Sequence, residues 1–481
     1  MTCLRMRFAL LPCVLVACGA SPGTPVGPRP AAPDAGSQAN PDGPHRGTDA
    51  VVIPPCAAPA PACLTAVEWV VVRTLSPLPP PPPDPTNAFA DRADAAALGQ
   101  RLFFDATLSG PLVAAENASP GDGGNGPVGA RERVSCARCH APEHGFSDRR
   151  TFPPQASLGA GYTPRHAPAL LNCAHQRWFF WDGRKDALWS QVLGPIESPL
   201  EHNFSRVGVV RVLARRHRAS YEAVFGPLPD VSDPARFPDT DRDATAGRPG
   251  VAVSGALDYD EMAADDQALV DRAFVNAGKA LAAYLRRLES RDAAFDRFVA
   301  GDATALAPAA VRGLRLFIGK AGCVRCHSGP GFSDGRFHNE GVAQDGLHIA
   351  RRDEGRAAGI PALLADPLGA AGVYSDDPAA GRARLEGLLS QPADVGAFKT
   401  PGLRGVSASA PYFHTGYAPT LEDAILAYDK GGGDPSVVSF SGVKDERLVP
   451  LHLSPEEITE LAAFLRALDG APLDPRLFAE P

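Results

Sequence analysis

Residues 136–140 read Cys-Ala-Arg-Cys-His, and residues 323–327 read Cys-Val-Arg-Cys-His. Each pentapeptide matches the attachment signal of a c-type haem, in which two thiols bond covalently to the haem and the histidine ligates its iron. One match can arise by chance or as half of a zinc site, whereas two in one chain argue against both explanations. The sequence therefore predicts two haem c groups. Their attachment residues are Cys136, Cys139 and His140 for the first, and Cys323, Cys326 and His327 for the second.

The scarcity of methionine limits the ligands on the other face of each iron. The chain has three methionines, and two of them, Met1 and Met6, lie at the extreme N-terminus. Only Met262 remains for a haem, although electron carriers commonly use a methionine thioether as the sixth ligand. A carrier with two methionine-ligated haems is therefore excluded.

The first residues are typical of an exported lipoprotein. Arg5 and Arg7 precede a short apolar run at residues 8–16, and Leu15-Val16-Ala17-Cys18 resembles a bacterial lipobox. The run is shorter than the roughly 20 residues that a membrane-spanning helix needs. We predict a lipoprotein signal peptide over residues 1–18, lipidation of Cys18, and a membrane-anchored location in the periplasm. Plain secretion with cleavage after small residues is the alternative.

The next segment, residues 19–85, is rich in proline and glycine and poor in large apolar side chains. Such a composition buries too little surface to offset the entropy of folding, so we predict a disordered linker. Within it, residues 67–72 form a short β-like run, and residues 79–83 form a stiff polyproline stretch.

The composition of the chain is that of a globular protein with a moderate acidic balance. The 481 residues are 44% hydrophobic and 21% charged, and 47 Lys and Arg residues against 55 Asp and Glu residues leave a net charge of −8. No long basic run is present, which argues against a nucleic-acid partner.

Helical signals recur where the haems need a scaffold. Apolar residues follow helical spacing over residues 270–288, and Ser454-Pro455-Glu456-Glu457 forms a capping box. We predict a mainly α fold of two cytochrome-c-like haem domains with long loops. The expected ranges are 86–268 for the first (peroxidatic) domain, 269–470 for the second (electron-transfer) domain and 471–481 for a C-terminal tail. Residues 352–393 form an irregular excursion that is expected to cover the second haem.

Further motifs lie between and after the two haem signals. Trp181-Asp182-Gly183-Arg184 is followed by Gln191 ten residues after the tryptophan and by Glu201 twenty residues after it. The other blocks are Arg165-His166-Ala167-Pro168, Phe398-Lys399-Thr400-Pro401-Gly402-Leu403-Arg404, Pro411-Tyr412-Phe413-His414 and Thr420-Leu421-Glu422-Asp423-Ala424. Together these motifs resemble the bacterial dihaem cytochrome c peroxidase and MauG family over residues 97–470. The stretch from Trp181 to His202 is also similar to the methanobactin-associated dihaem enzymes.

The resemblance implies three roles in the first half of the chain. Glu201 is the distal carboxylate, which moves the peroxide proton and assists cleavage of the O–O bond. Gln191 is a polar neighbour of that carboxylate. Trp181 lies between the two haems and carries electrons, a task for which an oxidisable indole is suited.

Two departures from the family pattern bear on the type of enzyme. Members that need reductive activation have a histidine that blocks the first haem, whereas Leu158-Gly159-Ala160-Gly161 has none at that place. The first haem is therefore expected to be open. The family's axial methionine on the second haem falls at Tyr428, which shares a helix face with Leu421 and Ile425. We predict Tyr428 as a ligand of the second iron, as in MauG, with a core tyrosine as the alternative.

The family also has a calcium ion between its two domains. The resemblance implies that the backbone carbonyls of Ser409 and Pro411 contribute to it, together with an asparagine side chain. That asparagine is His166 here, and an imidazole is a poor ligand for a hard cation. Calcium therefore stays an open expectation.

Three functions remain open, two of them enzymatic. The favoured one is a MauG-like dihaem oxidoreductase that reacts with hydrogen peroxide at the open haem and uses a second His/Tyr haem, linked through Trp181, to oxidise a protein partner. The first alternative is a cytochrome c peroxidase that reduces hydrogen peroxide with electrons from a small periplasmic cytochrome or cupredoxin. The second alternative is a non-enzymatic electron-transfer protein.

Overall fold

Helices are the main regular structure of the chain, whose computed structural model describes residues 63–119, 123–150 and 156–481. The predicted signal peptide, Cys18 and the first part of the predicted linker lie outside the described residues. The α-helices are α1 Ala66–Val72, α2 Ala93–Phe104, α3 Cys136–Cys139, α4 Leu188–Gln191, α5 Leu193–Glu197, α6 Arg206–Val212, α7 Arg218–Phe225, α8 Ala264–Leu285, α9 Ala294–Val299, α10 Pro308–Ile318, α11 Arg356–Leu364, α12 Pro378–Leu385, α13 Leu421–Asp429 and α14 Pro455–Arg466. Two short strands, β1 Phe337–His338 and β2 Phe398–Lys399, pair antiparallel. The prediction of a mainly α chain is confirmed. None of the described helices is long and apolar enough to cross a membrane.

The first hydrophobic core is built on the contact between α2 and α8. Phe103 on α2 packs against Tyr284 on α8, with ring centroids 5.1 Å apart. The helices approach closely because Gly99 has no side chain at the crossing, where a Cβ atom would lie 1.9 Å from the carbonyl oxygen of Ala280. The backbone of α8 thus occupies the place of a side chain on α2.

The second core repeats this arrangement with α10 and α14. Phe317 packs against Phe464, with centroids 5.2 Å apart, and a Cβ atom on Gly313 would lie 1.9 Å from the carbonyl oxygen of Glu460. Helix α14 begins at the predicted capping box, in which the Ser454 hydroxyl accepts from the N–H of Glu457. Each half therefore packs a helix that precedes its Cys-x-x-Cys-His segment on a helix that follows it.

Helix α1 corrects one prediction. The β-like run expected at residues 67–72 was wrong, because these residues are helical and pack on the second core. Thr65 and Glu68 form a capping box, in which the Thr65 hydroxyl accepts from the Glu68 N–H at 3.2 Å. The cap, and the three-residue spacing of the buried Trp69 and Val72, outweigh the strand preference of the valines. The last part of the predicted linker is therefore structured.

The two cores differ from the predicted domain ranges. A boundary after residue 268 would cut α8, whose buried side chains belong to the first core, and this core extends past the end of the helix to Leu288. The tail at residues 471–481 also returns to the first core, where the Tyr284 hydroxyl donates to the Leu477 carbonyl oxygen at 2.6 Å. The first core therefore includes the C-terminal tail, and the second includes α1.

Residues 352–393 contain α11 and α12, and their contacts include the segment around the Trp-Asp-Gly-Arg block of the first half. The Arg356 guanidinium donates to the Gly183 carbonyl oxygen at 2.7 Å, inside the Trp-Asp-Gly-Arg block. The carboxylate of Asp366 pairs with Lys185 at 2.5 Å. This segment therefore supports the backbone on either side of the bridging tryptophan motif.

We expect Gly313→Ala to destabilise the protein, because the added methyl group meets the carbonyl oxygen of Glu460. Such overpacking costs about 1–3 kcal/mol of the free energy of unfolding. Gly331→Ala is the matched control, since nothing lies within 4 Å of the position of its Cβ atom. We expect that control to stay within about 0.5 kcal/mol of wild type in denaturant unfolding. Equal stabilities of the two variants would contradict the close helix crossing.

Candidate active site

Each Cys-x-x-Cys-His segment begins as a short helical turn that brings its histidine to the wall of a cavity. The Nδ1 atom of His140 lies 3.1 Å from the Phe146 carbonyl oxygen, and that of His327 lies 3.0 Å from the Phe332 carbonyl oxygen. With Nδ1 donating to a carbonyl group, Nε2 is the ring nitrogen left for a metal. The two segments therefore present their histidines in the same way.

Two neighbouring cavities are defined by these segments. The first cavity is lined, among others, by Cys139, His140, Gln191, Pro195 and Glu201. The second cavity is lined, among others, by Cys323, His327, Glu340, Tyr428 and Leu461. None of the four cysteines of the two segments forms a disulfide. Burial lowers the pKa of both histidines, which favours the neutral imidazole that ligates iron. These residues fit two haem c groups.

The predicted carboxylate and its polar neighbour share the wall of the first cavity. Gln191 ends α4, and Glu201 lies in the turn after α5. The Ala160 N–H donates to the Glu201 carbonyl oxygen at 2.7 Å and fixes this turn. Burial raises the pKa of the Glu201 carboxyl, and Arg184 and Ser198 oppose that rise. A carboxyl with a raised pKa at a cavity wall is suited to acid–base catalysis.

We still expect the iron of the first haem to have a free coordination position. His166 is the one histidine besides His140 among the described residues that line this cavity, and its Nε2 lies 2.7 Å from the Asp148 carbonyl oxygen. His202 lines a smaller adjoining cavity, where its Nε2 lies 3.8 Å from the Cys136 sulfur. No methionine is among these lining residues. The loop at residues 158–161 is the place where family members that need activation have a blocking histidine. In this chain the loop pairs with the backbone at residues 200–201.

Trp181 lines both cavities. Its indole Nε1 donates to the His166 carbonyl oxygen at 2.8 Å. Its own carbonyl oxygen accepts from the backbone N–H of Lys399, also at 2.8 Å. The indole ring lies 6.3 Å from the ring of His414 in an edge-on arrangement. Hydrogen bonds to both halves of the chain thus hold the indole between the two cavities.

Tyr428 lines the second cavity together with His327. Tyr428 lies on helix α13. Thr420 caps the start of this helix, because its hydroxyl accepts from the N–H of Asp423 at 3.1 Å. Its buried residues Leu421 and Ile425 face the core. Burial raises the pKa of Tyr428 well above its ordinary value, and Glu340 raises it further. The helix therefore brings the phenol to the cavity of the second Cys-x-x-Cys-His segment.

Two polar residues of the site were missed by the sequence analysis. Glu340 lines the second cavity and hydrogen-bonds with Tyr428, and burial raises its pKa to about 7. No spacing marks this residue in the sequence. Lys399 lines both cavities, its Nζ donates to the Trp178 carbonyl oxygen at 2.9 Å, and burial lowers its pKa to about 8. The motif at residues 398–404 contains Lys399 and was the signal for it.

The residues expected around calcium lie at the second cavity, where Ser409, Pro411 and His166 are all part of the lining. The His166 side chain offers only nitrogen, and its Nε2 lies 2.7 Å from the Asp148 carbonyl oxygen. The expected contribution of Ser409 and Pro411 is their backbone carbonyl groups, so the side chain at position 166 is the part of the donor set that departs from the family. Calcium takes about six to eight oxygen ligands, so this donor set does not fit the ion.

Comparison with known proteins places these features in one family. The family model for the di-haem cytochrome c peroxidases matches residues 93–304. The chain is 30% identical over 402 residues to the cytochrome-c peroxidase IdrP2 of Denitromonas iodatirespirans, covering 81% of this chain and 85% of that protein. It is 31% identical over 378 residues to the methylamine utilization protein MauG of Methylorubrum extorquens, covering 78% of each chain.

Solved structures share the fold. A MauG-like protein associated with microbial copper homeostasis superposes with a TM-score of 0.54 at 24% identity, covering 84% of this chain and 97% of that chain. The diheme peroxidase BthA of Burkholderia thailandensis superposes with a TM-score of 0.54 at 22% identity, covering 81% of this chain and 89% of that chain. Both superpositions cover more than four fifths of this chain, so the overall fold is shared with these solved proteins.

We expect a double variant, Cys323→Ala with Cys326→Ala, to carry one covalent haem per chain where wild type carries two. The first cavity has its own cysteines and its own core, so its haem stays attached. Pyridine haemochrome absorbance per chain and intact mass measure this. Cys173→Ala is the control, because Cys173 is a buried free thiol outside both segments, and it should keep both haems. Loss of both haems in the double variant would contradict two independent attachment sites.

Proposed function

Because this chain belongs to the di-haem cytochrome c peroxidase family, we propose that it is a MauG-like enzyme that uses hydrogen peroxide to oxidise a protein partner. Membership of the family makes it a dihaem c-type oxidoreductase that reacts with peroxide. One observation carries the MauG-like subtype: Tyr428 lines the second cavity at the sequence position where the family has an axial methionine. We also propose that the enzyme acts in the periplasm, anchored to the membrane through a lipid on Cys18.

Proton transfer in the first cavity is assigned to Glu201. When bound, the haem c of this cavity would be held by Cys136, Cys139 and His140 and would supply the redox chemistry for peroxide. Glu201 takes the proton of the incoming peroxide and returns it to the departing oxygen, and the raised pKa of its carboxyl suits both steps. Gln191 offers an amide donor and an acceptor beside it, which orients the peroxide or the water produced.

Trp181 provides the path between the two cavities. Its indole lines both of them, and hydrogen bonds to His166 and Lys399 hold it in one orientation. A rigid, oxidisable ring shared by both cavities is suited to pass an electron from the second to the first. Oxidising equivalents then leave the peroxide cavity and become available near the second one.

Tyr428 favours a partner-oxidising enzyme over an electron shuttle. A tyrosine offers an oxygen ligand in place of the thioether, and a thioether is the ligand that raises haem potentials in electron carriers. An oxygen ligand therefore favours the oxidised state of the second site. That preference supports retention of oxidising equivalents until a protein partner docks.

The second candidate is a cytochrome c peroxidase that takes its electrons from a small cytochrome or cupredoxin. The name of the relative IdrP2, a cytochrome-c peroxidase at 30% identity, favours it. A purely electron-transferring protein is the third candidate. The buried carboxyl of Glu201 beside Gln191 in the first cavity argues against that candidate, because electron transfer alone needs no acid–base group there.

We expect Glu201→Gln to slow the reaction with peroxide by about 10²- to 10⁴-fold, because an amide keeps the shape of the carboxyl but takes no proton. Both haems should remain attached. Stopped-flow absorbance of the haem bands measures the rate. Glu143→Gln is the control, since that side chain is 69% exposed, and its rate should equal that of wild type. An unchanged rate in Glu201→Gln would remove Glu201 from the mechanism.

We expect the fully ferric wild type to react with peroxide without prior reduction. Tyr428→Met should raise the potential of the second haem by on the order of 100 mV, within the range of about 0.8 V that axial ligands span. The variant should then need half-reduction before it reacts. Potentiometric titration and stopped-flow absorbance measure the two effects, and Tyr417→Met, at an exposed tyrosine, is the control.

The opposite result identifies the second candidate. A wild-type enzyme that ignores peroxide until one haem is reduced, and then turns over quickly with a small cytochrome, is a cytochrome c peroxidase. The MauG-like proposal would then be wrong.

A further inference from the structure

His166 lies where the two cavities meet and is only 2% exposed. Its Nε2 lies 2.7 Å from the Asp148 carbonyl oxygen, and its backbone N–H donates to the His414 carbonyl oxygen at 2.7 Å. Its own carbonyl oxygen accepts from the indole of Trp181 at 2.8 Å. One residue therefore joins the segment after the first haem attachment, a loop of the second half and the bridging indole.

The tautomer of His166 follows from these contacts. A carbonyl oxygen only accepts, so the Nε2 atom beside Asp148 must be protonated and donate. Burial lowers the pKa of His166, so the ring is neutral when it makes this bond. The side chain therefore contributes a neutral hydrogen bond and no ligand for a hard cation.

The surroundings of His166 offer no replacement for a missing calcium ligand. Its backbone oxygen is already used by the Trp181 indole. Within the described residues, the one cluster of three or more side chains of metal-ligand type is Cys326, Asp334 and His338, which contains a haem-attachment cysteine of the second segment. The carbonyls of Ser409 and Pro411 alone leave a calcium ion far short of its usual coordination.

We propose that His166 takes the place of the interdomain calcium ion of the family. The His166 side chain bonds to Asp148 in the first half, its backbone N–H bonds to His414 in the second half, and its carbonyl oxygen positions the Trp181 indole. On this proposal the enzyme binds and needs no calcium. His166 is in this sense a positioning residue that acts through Trp181. The proposal rests on family membership and on this geometry, and it holds for a MauG-like enzyme and for a peroxidase alike.

The replacement has an electrostatic consequence for the indole. A calcium ion close to Trp181 would place two positive charges near a ring that loses an electron during turnover, and like charges at short range in a protein interior repel strongly. The neutral imidazole of His166, hydrogen-bonded to Asp148, brings no such charge near the ring. The Trp181 indole is therefore easier to oxidise beside a neutral His166 than beside a calcium ion.

The first experiment measures calcium in the wild-type holoenzyme. The protein is dialysed against EGTA or against calcium chloride, and its metal content is determined by mass spectrometry. We expect well below one calcium per chain in both samples, and no difference between them in the thermal transition temperature or in the EPR spectrum of the two haems. One tightly held calcium per chain, or a spectral change that EGTA causes and calcium reverses, would overturn the proposal.

A pair of variants tests whether His166 is the residue that excludes the ion. His166→Asn restores a side-chain oxygen, so added calcium should raise its transition temperature. His166→Ala has neither the oxygen nor the hydrogen bond, so calcium should not restore its lowered transition temperature. His144→Asn, at a partly exposed histidine, is the control and should ignore calcium. Failure of calcium to bind His166→Asn, or rescue of His166→Ala by calcium, would contradict the proposal.

The positioning role has its own spectroscopic test. Ultraviolet resonance Raman difference spectra against the corresponding Trp181→Phe protein report the hydrogen bond of the Trp181 indole. In His166→Ala this bond should weaken, whereas His144→Asn should leave it unchanged. A lowered transition temperature in His166→Ala with an unchanged indole signal would mean that His166 only stabilises the fold, and the positioning role would be wrong.

Discussion

The hydrogen bond from the Trp181 indole to the His166 carbonyl oxygen fixes the ring at the border of the two cavities. A second main-chain bond, from the Lys399 N–H to the Trp181 carbonyl oxygen, approaches from the other half. Both bonds depend on backbone position, so the placement of the ring depends on the path of each chain segment and hence on both cores. The interaction is short and directional, and a shift of either half would break it. Transfer of electrons between the cavities is therefore tied to the packing of the whole chain.

Close helix crossings supply the rigidity that this bond requires. In each core a glycine, Gly99 or Gly313, brings two helix backbones into direct contact around the haem-attachment segment. The ends of the chain add to this, since α1 packs in the second core and the C-terminal tail packs in the first. The excursion at residues 352–393 braces the tryptophan block through Arg356. Each core therefore includes side chains from segments that are far away in the sequence.

Whether a feature could be predicted from the sequence depends on whether the interactions behind it are local or join residues far apart in the chain. The haem-attachment segments and the spacing from Trp181 to Glu201 are local patterns set by chemistry, and they led directly to the residues that line the first cavity. Helix α1 was misread because its valines favour a strand, while its cap and its tertiary contacts decide for a helix. The excursion at 352–393 and Glu340 depend on contacts between residues far apart in the sequence, which no local pattern records. The same holds for the extension of the first core to Leu288.

The two cavities are lined by chemically different side chains, and this difference suits each cavity to a different role. The first presents a carboxyl and an amide, Glu201 and Gln191, which exchange protons and hydrogen bonds with a small oxygen compound. The second is lined by the phenol of Tyr428 and by Glu340, and no methionine is among its described lining residues. Two identical sites would share an electron evenly, so the indole between them would not transfer it in a preferred direction. In the proposed function one side handles protons and the other favours the oxidised state, so electrons would pass through Trp181 from the second cavity towards the peroxide in the first.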